Sequence, residues 1–269
     1  MKVAFFAAAG MAATLGALPA AAAGVDKLYV LDCGHTSAPD QSRWSPGVNV
    51  GVPIELSDNC YLIHHAQGWF LWDTGLPDAL AARPDGFKGA NNFVMTRKKT
   101  LVGQIEQLGL KPSDIKGLAV SHTHPDHIGN VEEFPQVMLY VQKAEYEWPA
   151  ELGVPRFKPE HPVTKLEGDH DVFGDGTVVI ISTPGHTPGH QSLLVRLPKT
   201  GPLVLSGDVV HFKDNWDNRR VPGFNFSKEQ SLASMQRVAD IMAKEHAQLW
   251  INHDFPQTET LKKSPEFYE

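Results

Sequence analysis

Residues 121–130 read Ser-His-Thr-His-Pro-Asp-His-Ile-Gly-Asn, directly after the apolar run Gly117-Leu118-Ala119-Val120. That run is short and flanked by polar residues, the pattern of a buried strand. In an extended segment alternate side chains share one side, which pairs His122 with His124. Pro125 then turns the chain, so Asp126 and His127 approach the same point from another direction. Imidazole and carboxylate groups at this density suit one borderline divalent cation, or two close together. A polar loop is the ordinary setting of a single histidine. Four potential ligands at one strand end are instead a metal motif, and such a motif needs partners elsewhere in the chain.

The chain has 269 residues and a formal charge of −7. It opens with Met1-Lys2-Val3, an alanine-rich apolar run and Leu18-Pro19 followed by four alanines. A lysine, a short hydrophobic core and small residues before Gly24 predict a secretory signal peptide over residues 1–23 and one large domain over 24–269. Gly10, Thr14 and Gly16 interrupt the apolar run, which argues against a stable membrane anchor. Losing Lys2 and no acid makes the exported chain slightly more acidic, a balance that speaks against nucleic acid or anionic lipid as partner. Export would carry Cys33 and Cys60 into a periplasmic or extracellular, oxidising setting. Both lie on predicted strands. Those strands could neighbour each other and allow a disulfide, but two buried free thiols are the expectation, because sequence does not place their Cβ atoms.

Leu28–Asp32 reads as a first strand and Thr36–Val52, rich in Ser, Pro and Gly, as a loop. Tyr61–Ile63 and Trp69–Trp72 form a hairpin around Gln67-Gly68. The second of these strands ends in Asp73, which either orients a metal-binding histidine from behind or caps the turn. Pro84–Lys99 lacks periodicity and reads as a loop or broken helix. Leu101, Val102, Ile105 and Leu108 follow helical spacing up to Gly109. Met138–Val141 is a strand and Ala144–Trp148 a short helix.

The second half repeats the idea. Strand Val178–Ser182 runs into Pro-Gly-His-Thr-Pro-Gly-His, residues 184–190. Ser192–Leu197 and Leu203–Leu205 form a hairpin that ends in Ser206-Gly207-Asp208. Ser227, with Gln230, begins a long helix whose buried stripe is Leu232, Met235, Val238, Ala239 and Met242. Leu249–Ile251 is a strand ending in Asn252-His253-Asp254. His186 or His190, Asp208 and His253 thus each follow a strand end, as the opening motif does. Such ends share one edge of a sheet, where loops build sites. The pattern supports two metals, one held by three histidines, the other by an aspartate and two histidines, with one aspartate able to bridge.

The series His-Thr-His-Pro-Asp-His, Gly-His-Thr-Pro-Gly-His, Gly-Asp-Val-Val and Asn-His-Asp, in that order, resembles the metallo-β-lactamase superfamily. Within it, residues 180–226 resemble the N-acyl homoserine lactone lactonases, the quorum-quenching enzymes. The resemblance spans essentially all of residues 24–269 and implies an α/β fold, an αββα sandwich with a dinuclear site at one sheet edge. It implies two divalent ions, zinc by preference. His122, His124 and His186 would hold the first, Asp126, His127 and His253 the second, and Asp208 would bridge them. His190 and Asp73 would support these ligands from behind. His35, His64, His65, His161, His170 and His246 have no second ligand nearby in sequence and are expected on the surface or on strand faces.

The implied reaction is attack of a metal-bridging hydroxide on a lactone carbonyl, with Asp126 carrying a proton to the departing ring oxygen. Phe87, Phe93, Met95, Trp148, Phe212, Trp216, Phe224 and Phe226 are candidates to hold the acyl chain, with core packing as the ordinary alternative. The partner is then a small-molecule lactone, and a homodimer is left open. A metallo-β-lactamase proper is the nearest alternative, against which a bridging Asp208 counts. A thioesterase of the same superfamily would carry a further substrate-binding domain, and an oxygen-reducing diiron member a Glu in place of His124. A non-catalytic secreted metal-binding protein is the reading from another class. The sequence departs from the lactonase pattern at His211, where many of these enzymes carry a tyrosine facing the substrate carbonyl.

Overall fold

The computed structural model describes Met1 and residues 24–89, 92–149 and 155–269. The proposed signal peptide lies outside the described residues. The first sheet begins with β1 (Val25–Ala38), β2 (Ile54–His65) and β3 (Gly68–Trp72). β4 (Phe87–Lys88) and β5 (Val94–Thr96) follow, then helix α1 (Leu101–Gln107). Strand β6 (Ile115–Ala119) leads into the one-turn helix α2 (Pro125–Ile128), β7 (Met138–Gln142), helix α3 (Lys143–Tyr146) and β8 (Val163–Leu166). The second sheet comprises β9 (His170–Asp171), β10 (Val178–Ser182), β11 (Gln191–Leu197), β12 (Gly201–Leu205) and β13 (Gln248–Trp250). Between β12 and β13 lie α4 (Lys213–Asp217) and α5 (Lys228–Glu245), and α6 (Phe255–Thr258) follows β13. The strand orders are β4-β5-β1-β2-β3-β6-β7-β8 and β13-β12-β11-β10-β9.

Strand alternation builds the layers. Leu28 and Val30 of β1 point into the same cluster as Val178 and Ile180 of β10, Leu193 and Val195 of β11, and Leu203 and Leu205 of β12. That cluster fills the space between the sheets. The alternate residues Tyr29, Leu31 and Cys33 turn outward to meet Leu101 and Ile105 of α1. On the other outer face Ile181, Leu194 and Val204 meet Met235 and Val238 of α5. The period of two forces this arrangement, because each sheet carries apolar residues on both faces and each face must be covered. Ser227 caps α5 by accepting the Gln230 amide at 3.2 Å, and the predicted stripe through Met235 and Val238 is the buried face. Among the described residues no helix is long and apolar enough to cross a membrane.

Three expectations change. β1 continues through Thr36 to Ala38 because these residues pair with Leu56 to Ile54 of β2, so ladder hydrogen bonds override loop-like composition. Residues 84–99 include two short strands, since Val94–Thr96 adds to the free side of β1 at Ser37–His35. Cys33 and Cys60 are joined in a disulfide, not free thiols, with Cα atoms 5.7 Å apart. The register between β1 and β2 shifts at Asp32/Gly34, and that bulge turns Cys33 towards Cys60, the partner of Leu31. A bridge over a sequence separation of 27 removes about 3–4 kcal/mol of chain entropy from the unfolded state. Replacing both cysteines by alanine is therefore expected to lower Tm by roughly 5–15 °C, read by calorimetry against a reduced wild-type control.

Candidate metal centre

Strand ends converge as their sequence positions suggest. β3 and β6 run parallel, as do β12 and β13, so Asp73, residues 121–127, Asp208 and His253 emerge at one edge of the sandwich. Gly207 makes the approach of Asp208 feasible. Its φ is 52° and a Cβ there would stand 2.7 Å from both the His190 Nε2 and the Ser121 Cβ, so any side chain would push the strand end away.

Two groups of side chains result. His122, His124, His186 and Asp208 offer ligand atoms within 4.8 Å of one another, and so do Asp126, His127 and His253. In the first, His124 Nδ1 lies 2.8 Å from His122 Nε2 and 2.9 Å from His186 Nε2. Asp208 divides its carboxylate between them. Its Oδ2 faces His186 Nε2 at 3.3 Å and His122 Nε2 at 3.7 Å. Its Oδ1 faces His253 Nε2 at 3.0 Å and His127 Nε2 at 3.3 Å. Asp126 approaches His253 at 3.9 Å and keeps its side chain 36% exposed, the open side of the centre.

Backing partners fix which ring nitrogen is free. His253 Nδ1 donates to the Ser57 carbonyl at 2.7 Å, His127 Nδ1 to the Asp73 carboxylate at 3.0 Å and His186 Nδ1 to Asn225 Oδ1 at 3.0 Å. Each bond leaves an Nε2 lone pair aimed inward. His190 stands behind Asp208, where its Nε2 accepts the Asp208 amide at 2.7 Å while Nδ1 donates to the Thr183 carbonyl at 3.0 Å. It belongs to neither ligand group, and the structure separates it from His186 as spacing alone did not.

Several charges conflict in the absence of a cation. Burial pushes His122 and His186 well below the ordinary imidazole range, against the pull of Asp208. Burial also opposes the charged ring of His127, yet Asp208 and Asp73 hold it well above that range. His253 is likewise raised to about 9, Asp208 outweighing burial. Asp208 resists burial and stays well below the carboxylate range because His253 and His127 surround it. His127 Nε2 and Asp208 Oδ1 are nevertheless buried without a hydrogen-bond partner. Converging lone pairs, a carboxylate split between two groups and orphaned donor atoms are what divalent cations satisfy. The residues therefore fit the metals their pattern implies.

The remaining candidates divide. Trp148 lies 6.5 Å from His124 and 6.4 Å from Phe226, and Phe224 lies 5.9 Å from His186 and 6.0 Å from His211. Phe93 stacks on Trp44 at 5.6 Å, which meets His211 at 6.4 Å. Trp148 and Phe224 thus stand against the first histidine group, with Phe93 further out behind Trp44. Phe212 packs with Trp44 and Leu56, and with Trp216 it lines a cavity of about 1030 Å³ that His253 also borders. Phe87 pairs with Met95 across the edge hairpin, its ring under the Arg83 guanidinium at 5.7 Å instead of against a ligand histidine. His211 is buried, with Nε2 3.3 Å from Asp208 Oδ2, so it does not point to solvent.

Among the other histidines, His65 sits on strand β2, as a strand-face residue should, while His161 is buried outside any strand, contrary to expectation. His65 pairs with Asp175 at 2.8 Å and His161 with the Val137 carbonyl at 3.0 Å. His246 ends α5 in the left-handed region at φ 55°.

Sequence reasoning missed Glu145, a fully buried carboxylate on α3. It accepts the Thr123 amide at 2.8 Å and the Gly189 amide at 3.0 Å, lashing together the two loops that carry the first histidine group. Asn225, Ser57 and Trp44 were missed as well. None carries a local signal, since each acts through a contact distant in sequence.

Asp73 is the residue behind His127, and its other oxygen accepts the Ser121 amide at 2.6 Å. Asp73→Asn keeps the size but weakens the acceptor facing His127 Nδ1. Metal affinity is expected to fall about 10- to 100-fold, read by chelator competition, with little change in folding.

Fold and site together define a hydrolase scaffold built on clustered histidines and carboxylates that suit divalent metal. The metallo-beta-lactamase superfamily model matches residues 53–243, and the chain belongs to that superfamily. Its relatives narrow the class. It is 37% identical over 265 residues to N-acyl homoserine lactonase AttM of Rhizobium radiobacter, covering 90% of this chain and 98% of that one. It is 33% identical over 254 residues to an N-acyl homoserine lactonase of a Bacillus species, at 90% and 99% coverage. Among solved structures it is similar to an N-acyl homoserine lactone hydrolase with the product N-hexanoyl-L-homoserine bound at the catalytic metal center. That match has a TM-score of 0.80 and 28% identity, and covers 91% of this chain and 100% of the other.

Proposed function

We propose that this metal-dependent hydrolase opens the lactone ring of N-acyl homoserine lactones, a quorum-quenching activity, using two divalent ions, zinc by preference. The observation that carries the reading is the division of the Asp208 carboxylate, Oδ2 towards one histidine group and Oδ1 towards the other. A carboxylate in that position would hold a cation in each histidine group, and the overall likeness to lactonases selects the substrate. When bound, the ions would supply a nucleophile from water at neutral pH and polarise the carbonyl.

The chain's own residues do the rest. His122, His124 and His186 orient the carbonyl side, with Trp148 and Phe224 excluding water beside them. Water adds to the lactone carbonyl carbon, the ring C–O bond breaks, and the ring oxygen leaves needing a proton. Asp126, half-open to the site, is placed to carry it. The product is the open N-acyl homoserine acid.

Turnover of homoserine lactones of graded chain length, beside a β-lactam and a thioester, tests this. Lactone turnover should exceed the others by orders of magnitude, and a β-lactam preference of that size would overturn it. We also infer export to the periplasm or beyond, with residues 1–23 removed. The lysine and alanine-rich opening and a disulfide suited to an oxidising compartment support it. Intact-mass measurement of protein from a cell fraction tests it, and a full-length chain confined to the cytoplasm would refute it.

A further inference from the structure

Two guanidiniums stand on aromatic rings near the centre: Arg156 lies over Trp148 and donates to the Trp148 and Pro149 carbonyls, and Arg43 lies on Phe93 and Phe224. Arg43 ends the 3-10 turn Gln41–Arg43. Its guanidinium lies 5.4 Å from the Phe93 ring centroid and 5.1 Å from that of Phe224. Phe224 in turn meets His186 at 5.9 Å. One side chain therefore separates the guanidinium from the metal groups.

The backbone that carries it is held in place. Asp40 accepts the amides of Ser42 at 2.9 Å and Gly51 at 3.0 Å, and the Gln41 amide donates to the Val52 carbonyl at 2.8 Å. The Asn215 side chain donates to the Trp44 carbonyl at 2.9 Å, tying the turn to α4. Arg43 itself is exposed. Among the described residues its guanidinium has no ion pair and no hydrogen bond, in contrast to Arg97, which bonds Asp78 at 3.0 Å. A guanidinium packed on aromatic faces keeps its in-plane N–H groups free. Exposed to solvent, those donors are free to exchange water for an acceptor that substrate brings.

We propose that Arg43 sets substrate preference by donating hydrogen bonds to the amide carbonyl of the acyl arm. The proposal rests on the lactonase reading. With the lactone ring on the metal groups, the amide is attached at the carbon next to the ring carbonyl. It leaves along the open side, where Phe224 and Arg43 stand. A carbonyl oxygen has two lone pairs and suits the planar fork of donors. A γ-lactone bearing only an alkyl chain gives Arg43 nothing to bind.

The test compares wild type, Arg43→Gln and Arg43→Lys, all metal-loaded, on two substrates: a medium-chain N-acyl homoserine lactone and an alkyl γ-lactone of matched length. For Arg43→Gln, KM on the acyl homoserine lactone should rise about ten-fold with kcat largely kept, the effect of losing one charge-assisted bond at an exposed position. The alkyl lactone should lose no more than roughly two-fold in kcat/KM. Arg43→Lys should fall between, since it keeps the charge but not the fork. Equal losses on both substrates would make Arg43 a packing support for Phe93 and Phe224 and overturn the proposal, as would no change on either. Wild type active on the alkyl lactone alone would sink the acyl homoserine lactone reading, and this proposal with it.

Discussion

Asp208→Ala is expected to lose metal and activity together. The carboxylate is buried, 4% exposed, and turns one oxygen towards each histidine set. Without it, two cations would sit among neutral imidazoles with far less charge compensation and nothing to fix their separation. Burial adds to the effect, because no water-rich environment stands in for the missing charge. Turnover should fall by on the order of a thousand-fold or more, beyond the loss of a single transition-state donor. Asp208→Asn sharpens the test, since it keeps the shape and the backbone amide held by His190 while removing the charge. Elemental analysis of the purified variants, run beside lactone turnover, reads both quantities. A variant with full metal and full activity would remove Asp208 from the centre.

The second large effect is expected at His211. Its ring lies nearly parallel to that of His253, with 16° between planes, and meets His186 edge-on. Burial lowers its pKa despite the pull of Asp208, so the neutral ring carries one N–H. Nε2 faces Asp208 Oδ2, and Nδ1 is buried without a partner. An imidazole N–H at this place can turn from the carboxylate to a substrate oxygen once cations take up the carboxylate lone pairs. His211→Ala should then lower kcat by about 10- to 1000-fold with metal content unchanged, the range for losing one such donor. His211→Tyr should restore part of the rate, because a phenol offers one donor with a longer reach. Unchanged kcat in fully metallated His211→Ala would exclude the residue from the mechanism. Loss of metal in step with rate would instead make it a support of the centre.

How much of this the sequence could carry follows from the range of the forces involved. The candidate metal ligands were legible because coordination chemistry demands particular residue types, and strand ends deliver them at recognisable spacings. The layers were legible too, since apolar alternation along β1, β10 and β12 leaves few ways to cover both faces of each sheet.

The tertiary structure alone decided what depends on contacts between distant segments. A register shift at Asp32/Gly34 joined Cys33 to Cys60, which no count of cysteines could foretell. Pairing with β1 drew residues 94–96 into the sheet against their irregular pattern. Nothing in the short helix predicted over Ala144–Trp148 marks Glu145, which gains its place only where it accepts the Thr123 and Gly189 amides. His190 was distinguished from His186 in the structure by the Asp208 amide it accepts, and His211 was turned inward by packing around Trp44 and His253. The sequence by itself determined which chemistry this chain could perform and the architecture that would hold it. Which side chain supports which ligand was left to the fold, because hydrogen bonds and close packing act over a few ångströms and sequence spacing does not encode those distances.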